Sequence, residues 1–321
     1  MTKKTILITG GTGSFGKKFI SLSRNKFKKI IIYSRDELKQ FELEKKYPFK
    51  NNKNLRFFLG DIRDKNRLKF ALKDVDIILH AAALKQVPRA EYNPIEYIKT
   101  NVMGAQNIIE CALETNVKKV IALSTDKAVS PVNLYGATKL CSDKLFLAAN
   151  NIVGNSKKMF SVLRYGNVTM SRGSIIPIFL NNKSKVYNIT DLRMTRFCIT
   201  LEESVKAALW SINNARGGEV IIPKVPSYRI LDLVKAINKN AKIKLIGIRP
   251  GEKLFEELIS PNDNTPSYSY GNFFIIQSNR KKISPKCKKN PINFSYNSEE
   301  NSDFYSIRQL KKIISETKMD V

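Results

Sequence analysis

The pair Tyr135 and Lys139 has the residue types and the spacing of an acid–base unit. Residues four positions apart lie on the same face of a helix. A lysine ammonium beside a phenol lowers the pKa of the phenol from its usual value of about 10, so the tyrosine can take a proton from a hydroxyl group and return it. Because this spacing is common by chance, its meaning depends on the motifs that accompany it.

A glycine-rich turn, TGGTGSFG at 9–16, directly follows the apolar run at 5–9. Glycines at 10, 13 and 16 allow the backbone to turn tightly and to approach a pyrophosphate, and the N-terminus of the following helix offers N–H donors. The position of the turn between a predicted strand and a predicted helix makes the motif specific. We therefore expect a dinucleotide-binding turn that includes Gly10, Gly13 and Gly16.

The end of the second predicted strand, YSRD at 33–36, bears on the choice between NAD and NADP. NAD sites usually place an acidic residue there for the ribose 2′-hydroxyl, whereas an arginine accommodates the 2′-phosphate of NADP. Ser34, Arg35 and Lys39 favour NADP, and Asp36 favours NAD. We expect NADP, with NAD as the open alternative.

These motifs lie in a regular alternation of short apolar runs and helical patterns. Strands are predicted at 5–9, 30–33, 56–59, 76–80, 120–123 and 160–163, with helices between them, notably at 16–23, 36–46, 93–115 and 135–150. Such alternation is typical of an α/β fold with a doubly wound parallel sheet. The sequence therefore predicts a Rossmann-like dinucleotide-binding domain at 1–165.

The rhythm changes after residue 166, where glycine, proline and other turn residues become frequent. We predict that 166–278 form mainly a smaller substrate-binding part, with some segments returning to the first domain. The tail at 279–321 is basic and polar, and its apolar helical pattern is confined to 307–314. We expect this tail to be loosely ordered.

Length and composition exclude several other classes of protein. With 321 residues, 42% hydrophobic residues and 9% aromatic residues, the chain can bury a sizeable core. The longest apolar run, at 75–84, is interrupted by Asp76 and His80 and is shorter than the roughly 20 residues of a membrane span. The N-terminus lacks the pattern of a signal peptide. We expect a soluble cytoplasmic protein without membrane insertion.

Four scattered cysteines and one histidine leave little material for metal or triad chemistry. No CxxC pair is present, so we expect neither a zinc site nor a disulfide framework. His80 ends an apolar run and is expected at the edge of the core. A net charge of +28 could indicate nucleic-acid binding, but the lysines are spread along the whole chain, and we expect no specific nucleic-acid partner.

Together, the glycine turn and the YxxxK pair are the signature of the extended short-chain dehydrogenase/reductases. Within that group, LSTDKAVSPVNLYGATK at 123–139 closely resembles the soluble, inverting UDP-N-acetylglucosamine 4,6-dehydratases that open pseudaminic acid synthesis. The resemblance runs from about residue 4 to residue 277. It includes YSRDELKQ at 33–40, GDIRD at 60–64, HAAALK at 80–85, AEYNP at 90–94, RYGNV at 164–168, RMTRF at 193–197 and GIRPGEKL at 247–254.

The resemblance implies a reaction and assigns its steps to five residues. Tyr135, helped by Lys139 and positioned with Thr125, would take the proton of the sugar C4 hydroxyl while hydride leaves C4. Lys127 would then remove the C5 proton, and Asp126 would protonate the departing C6 hydroxyl. To act as a base Lys127 must be neutral, which burial or the nearby cations of Lys85 and Lys139 could favour.

The resemblance also implies which residues bind the two ligands. The substrate UDP-N-acetylglucosamine would be held by Lys85, Asn167, Arg193, Arg196, Arg249 and Glu252, where arginine suits a pyrophosphate because its planar fork can hold two oxygens. NADP would be bound by Gly10, Thr12, Gly13, Ser14, Phe15, Gly16, Ser34, Arg35, Lys39, Asp61, Ile62, Ala81, Ala82, Ala83, Lys85, Tyr135 and Lys139.

Some residues depart from the pattern of the family or separate its branches. Membrane-bound, retaining relatives generally carry Met at the position of Tyr135, so the tyrosine favours the inverting branch. Met170 replaces a usual glycine, Phe255 stands where histidine is common, and 177–191 is a few residues short. These departures bear on the identity of the substrate and on activity.

Three alternatives remain open at this point. A nucleotide-sugar 4-epimerase on the same fold would return hydride to C4 and would not need Asp126 and Lys127. A non-catalytic NADP-sensing protein would have no use for Thr125, Tyr135 and Lys139. A nucleic-acid-binding protein would show tight, salt-dependent binding. The resemblance favours the dehydratase, as a homo-oligomer that feeds a surface-glycan pathway.

Overall fold

The computed structural model describes residues 3–154, 156–169, 174–182, 184, 186–263, 265–277, 279 and 283–318. The strands are β1 (Thr5–Thr9), β2 (Lys29–Ser34), β3 (Leu55–Leu59), β4 (Ile77–His80), β5 (Lys119–Thr125), β6 (Met159–Tyr165), β7 (Asn167–Val168), β8 (Val186–Ile189), β9 (Thr195–Ile199), β10 (Val220–Pro223), β11 (Ser227–Arg229), β12 (Lys242–Leu245), β13 (Glu257–Ile259), β14 (Ser267–Tyr270), β15 (Phe273–Ile276), β16 (Lys288–Lys289) and β17 (Tyr296–Asn297). The α-helices are α1 (Ser14–Ser23), α2 (Glu37–Lys46), α3 (Lys65–Ala71), α4 (Val87–Tyr92), α5 (Pro94–Tyr97), α6 (Gly104–Glu114), α7 (Leu134–Ala148), α8 (Ile175–Leu180), α9 (Leu201–Asn214), α10 (Ile230–Ile237) and α11 (Ile307–Lys318).

A sheet of ten strands forms the centre of the molecule, in the order β16-β14-β15-β10-β6-β5-β4-β1-β2-β3. The seven strands from β10 to β3 in that order are mutually parallel. The other three continue the sheet in antiparallel pairing. The predicted α/β fold with a doubly wound parallel sheet is therefore confirmed, and all six predicted strands belong to this sheet.

The local sequence explains why these segments are central strands. All five residues of β1 are buried, as are the four of β4, because their continuous apolar runs can be covered by helices on both faces of the sheet. The helical pattern predicted at 93–115 forms α5 and α6, joined by a π-helical segment at Ile98–Met103. The order of the strands reverses between β1 and β4, which opens a crevice at the carboxyl ends of the parallel strands.

A smaller part, built mainly from residues after 166, lies beyond this edge. It contains the sheets β11-β9-β7, β12-β8 and β13-β17 and a second hydrophobic cluster in which Tyr187, Tyr228 and Leu233 are buried. Other late segments return to the large sheet, because β10, β14 and β15 pair within it and α9 contacts α1. The smaller part and the part built on the large sheet thus interleave along the chain.

The tail differs from the expected loose order over its described residues, 283–318. Strand β16 pairs with β14, and β17 pairs with β13. The apolar pattern at 307–314 forms most of α11, which buries Leu310 and Ile314 in the second cluster. Composition alone misses this packing, because it does not show that Leu310 and Ile314 share the helix face that contacts α10.

The described residues show two further general features. No helix that they form is both long and apolar enough to cross a bilayer. They also contain no group of three or more histidine, cysteine or acidic side chains arranged to hold a metal ion. All four cysteines carry free thiols.

Candidate active site

A cavity of about 1340 Å³ runs along the carboxyl edge of the parallel strands and under the smaller part. Typical small-molecule sites measure about 300–1,000 Å³, so this cavity has room for two ligands side by side. One end is walled by the glycine turn and the carboxyl ends of β2 and β3, and the other by β7, α8 and residues 249–256. Residues from β5 and α7 lie between the two ends.

The glycine turn fits a pyrophosphate. Gly10 has a positive φ of 64°, and a Cβ on it would lie 2.9 Å from the Ala82 Cα, so a side chain cannot be placed there. Gly13 caps α1, whose N-terminus opens towards the cavity. Gly16 is different: it lies outside the cavity wall, and its Cβ would come within 2.2 Å of the Gly11 carbonyl oxygen. Its role is therefore close packing inside the turn rather than ligand contact.

Every other residue expected to bind the cofactor lies in the cavity wall. The turn contributes four of them beside Gly10, and later segments contribute the rest: Thr12, Gly13, Ser14, Phe15, Ser34, Arg35, Lys39, Asp61, Ile62, Ala81, Ala82, Ala83, Lys85, Tyr135 and Lys139. The hydroxyl groups of Thr12 and Ser34 lie 2.8 Å apart and join the turn to the end of β2.

Asp36, the residue that favoured NAD, is engaged with its own helix. One carboxylate oxygen accepts a hydrogen bond of 3.0 Å from the Lys39 backbone N–H and caps α2, and the other pairs with the Lys39 ammonium. Arg35 is half-exposed, and its guanidinium lies 3.5 Å from the Asp61 carboxylate. The end of β2 thus presents both Arg35 and Asp36 to the cavity, each beside a side chain of opposite charge.

Tyr135 lies in the first turn of α7, where its hydroxyl hydrogen-bonds the Thr125 side chain at the end of β5. Burial raises the pKa of Tyr135 to about 12, against the opposing effects of the Lys127 cation and the Thr125 hydrogen bond. Lys139 lies one turn further along and donates a 2.9 Å hydrogen bond to the Leu123 carbonyl oxygen. Burial lowers the pKa of Lys139. In this state the expected lowering of the tyrosine pKa is absent.

Lys127 is surrounded by oxygen atoms. Its ammonium nitrogen lies 3.1 Å from each of three: Asp126 Oδ1, Glu256 Oε1 and Asn167 Oδ1. Burial alone would lower the pKa of Lys127, but the two carboxylates outweigh it and raise that pKa above its usual value. The sequence predicts that burial and neighbouring lysines make this side chain neutral. In the structure Lys127 is instead a cation paired with two carboxylates.

Asp126 lies directly behind the cavity wall, where its side chain is completely buried. Its Oδ1 atom accepts hydrogen bonds from Thr125 at 2.9 Å and from Lys127, whereas Oδ2 has no hydrogen-bond partner among the described residues. A Cβ on Gly166, which does line the cavity, would lie 3.2 Å from Oδ2. Burial raises the pKa of Asp126, so this carboxyl group is suited to carry a proton close to the cavity.

The expected substrate-binding residues divide into three groups. Lys85, Asn167, Arg249 and Glu252 line the cavity. Arg196 also lines it, but its guanidinium donates to the backbone carbonyl oxygens of Thr195, Lys253 and Leu254, so it fixes the 253–256 segment and has little left for a phosphate. Arg193 lies outside the wall, largely exposed and paired with Asp191.

Two of the departures from the family pattern fall on or near undescribed positions. Met170 lies outside the described residues, as do residues 183 and 185 of the short 177–191 segment. Phe255 is half-buried and does not line the cavity. It stands next to Glu256, a site residue that sequence analysis misses.

Glu256 and Tyr228 join the site through contacts over long sequence distances. Glu256 lines the cavity and pairs with Lys127, and Tyr228, on β11, hydrogen-bonds Asn167. The sequence does contain a signal for Glu256, because this residue lies two positions after the motif GIRPGEKL at 247–254. Tyr228 lies in no motif.

Comparison with known proteins gives consistent results. Residues 6–278 match the model of a family described as "Polysaccharide biosynthesis protein". The chain is 51% identical to the UDP-N-acetylglucosamine 4,6-dehydratase (inverting) of Campylobacter jejuni subsp. jejuni serotype O:23/36 (strain 81-176), over 98% of both chains. It is 43% identical to a UDP-glucose 4-epimerase of Rickettsia bellii (strain OSU 85-389), over 85% of this chain and 82% of the relative. The X-ray structure of Pen from Bacillus thuringiensis has a TM-score of 0.90 at 36% identity, with 98% of both chains covered.

Proposed function

Because this chain belongs to the polysaccharide biosynthesis protein family, we propose that it is an inverting UDP-N-acetylglucosamine 4,6-dehydratase of the extended short-chain dehydrogenase/reductase superfamily. The observation that carries the proposal is the full-length similarity to a dehydratase of that name, combined with a cavity wall in which Thr125, Lys127 and Tyr135 stand together beside Asp126. A buried acid and a lysine base are what the loss of water from C5 and C6 requires.

The first step is oxidation at C4 of the sugar. A nicotinamide dinucleotide, when bound, supplies the hydride acceptor and later the hydride donor. Tyr135 takes the proton of the C4 hydroxyl, and Thr125 holds the tyrosine oxygen in place. Because burial raises the pKa of Tyr135, the tyrosine needs additional positive charge in the cavity to work as a base, and the cationic nicotinamide ring of an oxidised dinucleotide would provide it.

The second step removes water. The C4 ketone acidifies the C5 proton. Because the structure holds Lys127 as a cation, Lys127 first releases a proton to solvent and then, as a neutral amine, takes the C5 proton. The C6 hydroxyl leaves with a proton from Asp126. One water is released, and a double bond joins C5 and C6. Hydride would then return to C6 from a bound dinucleotide, and a solvent-derived proton would reach C5 on the opposite face, which completes the reaction with inversion at C5.

The cofactor and the setting of the reaction form the finer part of this proposal. NADP is favoured because Arg35 faces the cavity while Asp36 is held by Lys39. The product would be a UDP-4-keto-6-deoxy-L-arabino-hexulose that feeds pseudaminic acid or a related surface-glycan sugar. A cytoplasmic homo-oligomer suits such an enzyme, and the four free thiols suit a reducing compartment.

The epimerase is the second candidate function, and the similarity to the Rickettsia bellii relative favours it. Epimerisation needs only the acid–base work at C4. It leaves the buried cluster of Asp126, Lys127 and Glu256 without a role in the reaction. Burying ionisable groups costs free energy, and such groups in a cavity are often functional. The dehydratase uses the acid and the base of this cluster.

Proton NMR of the purified protein with UDP-N-acetylglucosamine in D₂O tests the proposal. We expect a new C6 methyl signal, deuterium at C5 and the L-arabino configuration. A UDP-N-acetylgalactosamine signal without a methyl group would establish the epimerase instead. Unchanged substrate, with either NAD or NADP present, would contradict both functions for this sugar.

A further inference from the structure

Two carboxylates share one lysine at the centre of the site. An ammonium group has three N–H donors, and those of Lys127 are all used, by Asp126, Glu256 and Asn167 at 3.1 Å each. The proposed reaction assigns tasks to Lys127 and Asp126 only. Glu256 is just as close, lies in the cavity wall and is nine-tenths or more buried, so its charge in this place needs an explanation.

We propose that Glu256 is a positioning residue of the elimination step. It holds Lys127 beside the substrate and stays ionised itself, so that Asp126 is the carboxyl group that carries the proton. The inference rests on the proposed dehydratase function. Glu256 acts through Lys127 and Asp126 and exchanges no atom with the sugar.

The surroundings of the two carboxyl groups differ in a way that separates them. Glu256 has a second cation, since Arg196 Nε lies 3.7 Å from the same oxygen, whereas the described contacts of Asp126 include one cation, that of Lys127. Burial would raise the pKa of Glu256, but Lys127 and Arg196 outweigh it and lower that pKa. Burial raises the pKa of Asp126, and the Glu256 charge raises it further. Two carboxyl groups whose environments push their pKa values apart take different roles.

This division suits both halves of the elimination. Asp126 carries the proton that the C6 hydroxyl needs, while Glu256 stays ionised. When Lys127 takes the C5 proton it becomes a cation, and the Glu256 carboxylate stabilises the cation as it forms. The Glu256 charge therefore makes Lys127 a stronger base and Asp126 a weaker acid in the free protein.

The same reasoning predicts how the rate depends on pH. The charged or titratable groups that act on Lys127 or feel its charge come from six elements or loops: Asp126, Glu256, Arg196, Lys85, Tyr135 and Tyr228. Removing the charge of Glu256 alone lowers the pKa of Lys127 and also the pKa of Asp126. Because Lys127 has the higher pKa of the two, Asp126 sets the acidic limb of the kcat profile and Lys127 sets the basic limb. Both limbs then move to lower pH.

The experiment compares Glu256→Gln with Glu257→Gln, a matched control one residue along the chain that does not line the cavity. Loss of one charge-assisted contact predicts that E256Q lowers kcat about 10- to 100-fold and leaves KM within about threefold. The bell of kcat against pH should move to lower pH on both sides, and deuterium exchange at C5 should slow. E257Q should match the wild type in all four quantities.

The outcomes separate the inference from the function on which it rests. If the wild type forms no C6 methyl product, the proposed function fails. If the wild type is active and E256Q keeps its kcat, or loses kcat with no movement of the bell, then Glu256 is merely structural and the inference is overturned. Should E256Q fail to fold by circular dichroism, Glu256→Asp decides: it keeps the charge, so we expect lower kcat with the bell unmoved, and a bell shifted to lower pH would contradict the inference.

Discussion

Replacing Asp126 by asparagine tests the acid of the elimination with a side chain of the same shape. The amide oxygen of asparagine can still accept the hydrogen bonds that Oδ1 accepts from Thr125 and Lys127. The other atom, Oδ2, has no hydrogen-bond partner among the described residues, so no described contact is lost there. Asparagine does remove the negative charge that pairs with Lys127, so we expect the free energy of unfolding to fall by about 1–2 kcal/mol.

The effect on the reaction should be much larger. A positioned general acid contributes about 10²- to 10⁴-fold to a rate, which corresponds to about 3–5 kcal/mol of activation free energy. Asparagine cannot supply the proton to the C6 hydroxyl, so the formation of the C6 methyl product should fall by that factor. Tyr135 and Lys127 remain, so C4 oxidation and the removal of the C5 proton should continue. In D₂O the recovered UDP-N-acetylglucosamine should then gain deuterium at C5 even though little product forms.

Proton NMR of both the product and the recovered substrate measures the two effects in one sample. Glu257→Gln serves as the control for purification and handling. Product formation at the wild-type rate in D126N would refute the acid role of Asp126. Loss of C5 exchange together with product would show that the substitution disables the base as well, which contradicts the separation of roles. An epimerase would keep its C4 chemistry in this variant.

Three further predictions concern other parts of the molecule. Burial, reinforced by the Lys139 cation, lowers the pKa of His80 to about 3. The stability that neutral His80 contributes is therefore complete above about pH 6.5 and is lost as the pH falls towards 3. In His80→Asn, the decrease in unfolding free energy over that pH window should be smaller by up to about 5 kcal/mol, measured by urea titration at a series of pH values. Arg35→Ala should weaken NADP binding about 10- to 100-fold and leave NAD binding nearly unchanged by calorimetry, and equal weakening of both would argue against a 2′-phosphate contact. Gly16→Ala should lower the unfolding free energy by about 3 kcal/mol or more, because its Cβ would lie 2.2 Å from the Gly11 carbonyl oxygen; a wild-type thermal midpoint would contradict this packing role.

Local signals were enough to predict six of the ten strands of the large sheet. The run at 5–9 is apolar throughout, and the structure buries all five residues of β1. The glycine turn that follows constrains its own backbone, since Gly10 requires a positive φ. Such features depend on neighbours in sequence, which is why composition and periodicity find them. The apolar pattern at 307–314 also indicated helix α11, but the packing of this helix on α10 joins segments that are far apart in sequence and was not predicted.

Arg196 shows why residue type alone does not decide how a side chain is used. An arginine in a motif of the resemblance is a reasonable partner for a pyrophosphate, but its donors can also be used by backbone carbonyl oxygens. The structure brings the carbonyl oxygens of Lys253 and Leu254, more than fifty positions away, against the guanidinium. The sequence at 193–197 does not indicate those two acceptors. The hydrogen bonds of Arg196 to backbone carbonyl oxygens could therefore be found only from the three-dimensional structure.

The pKa values of the cavity lysines also depend on contacts that the sequence does not show. Lys85, Lys127 and Lys139 all line the cavity, and burial acts on each of them. Burial lowers the pKa values of Lys85 and Lys139, whereas the pKa of Lys127 is raised because two carboxylate oxygens each lie 3.1 Å from its ammonium nitrogen. One of those carboxylates, Asp126, adjoins Lys127 in sequence; the other, Glu256, is supplied by a distant loop held by Arg196. Whether the pKa of Lys127 is raised or lowered thus depends on a contact that only folding brings about. The same contact strengthens the base that the proposed reaction needs at C5.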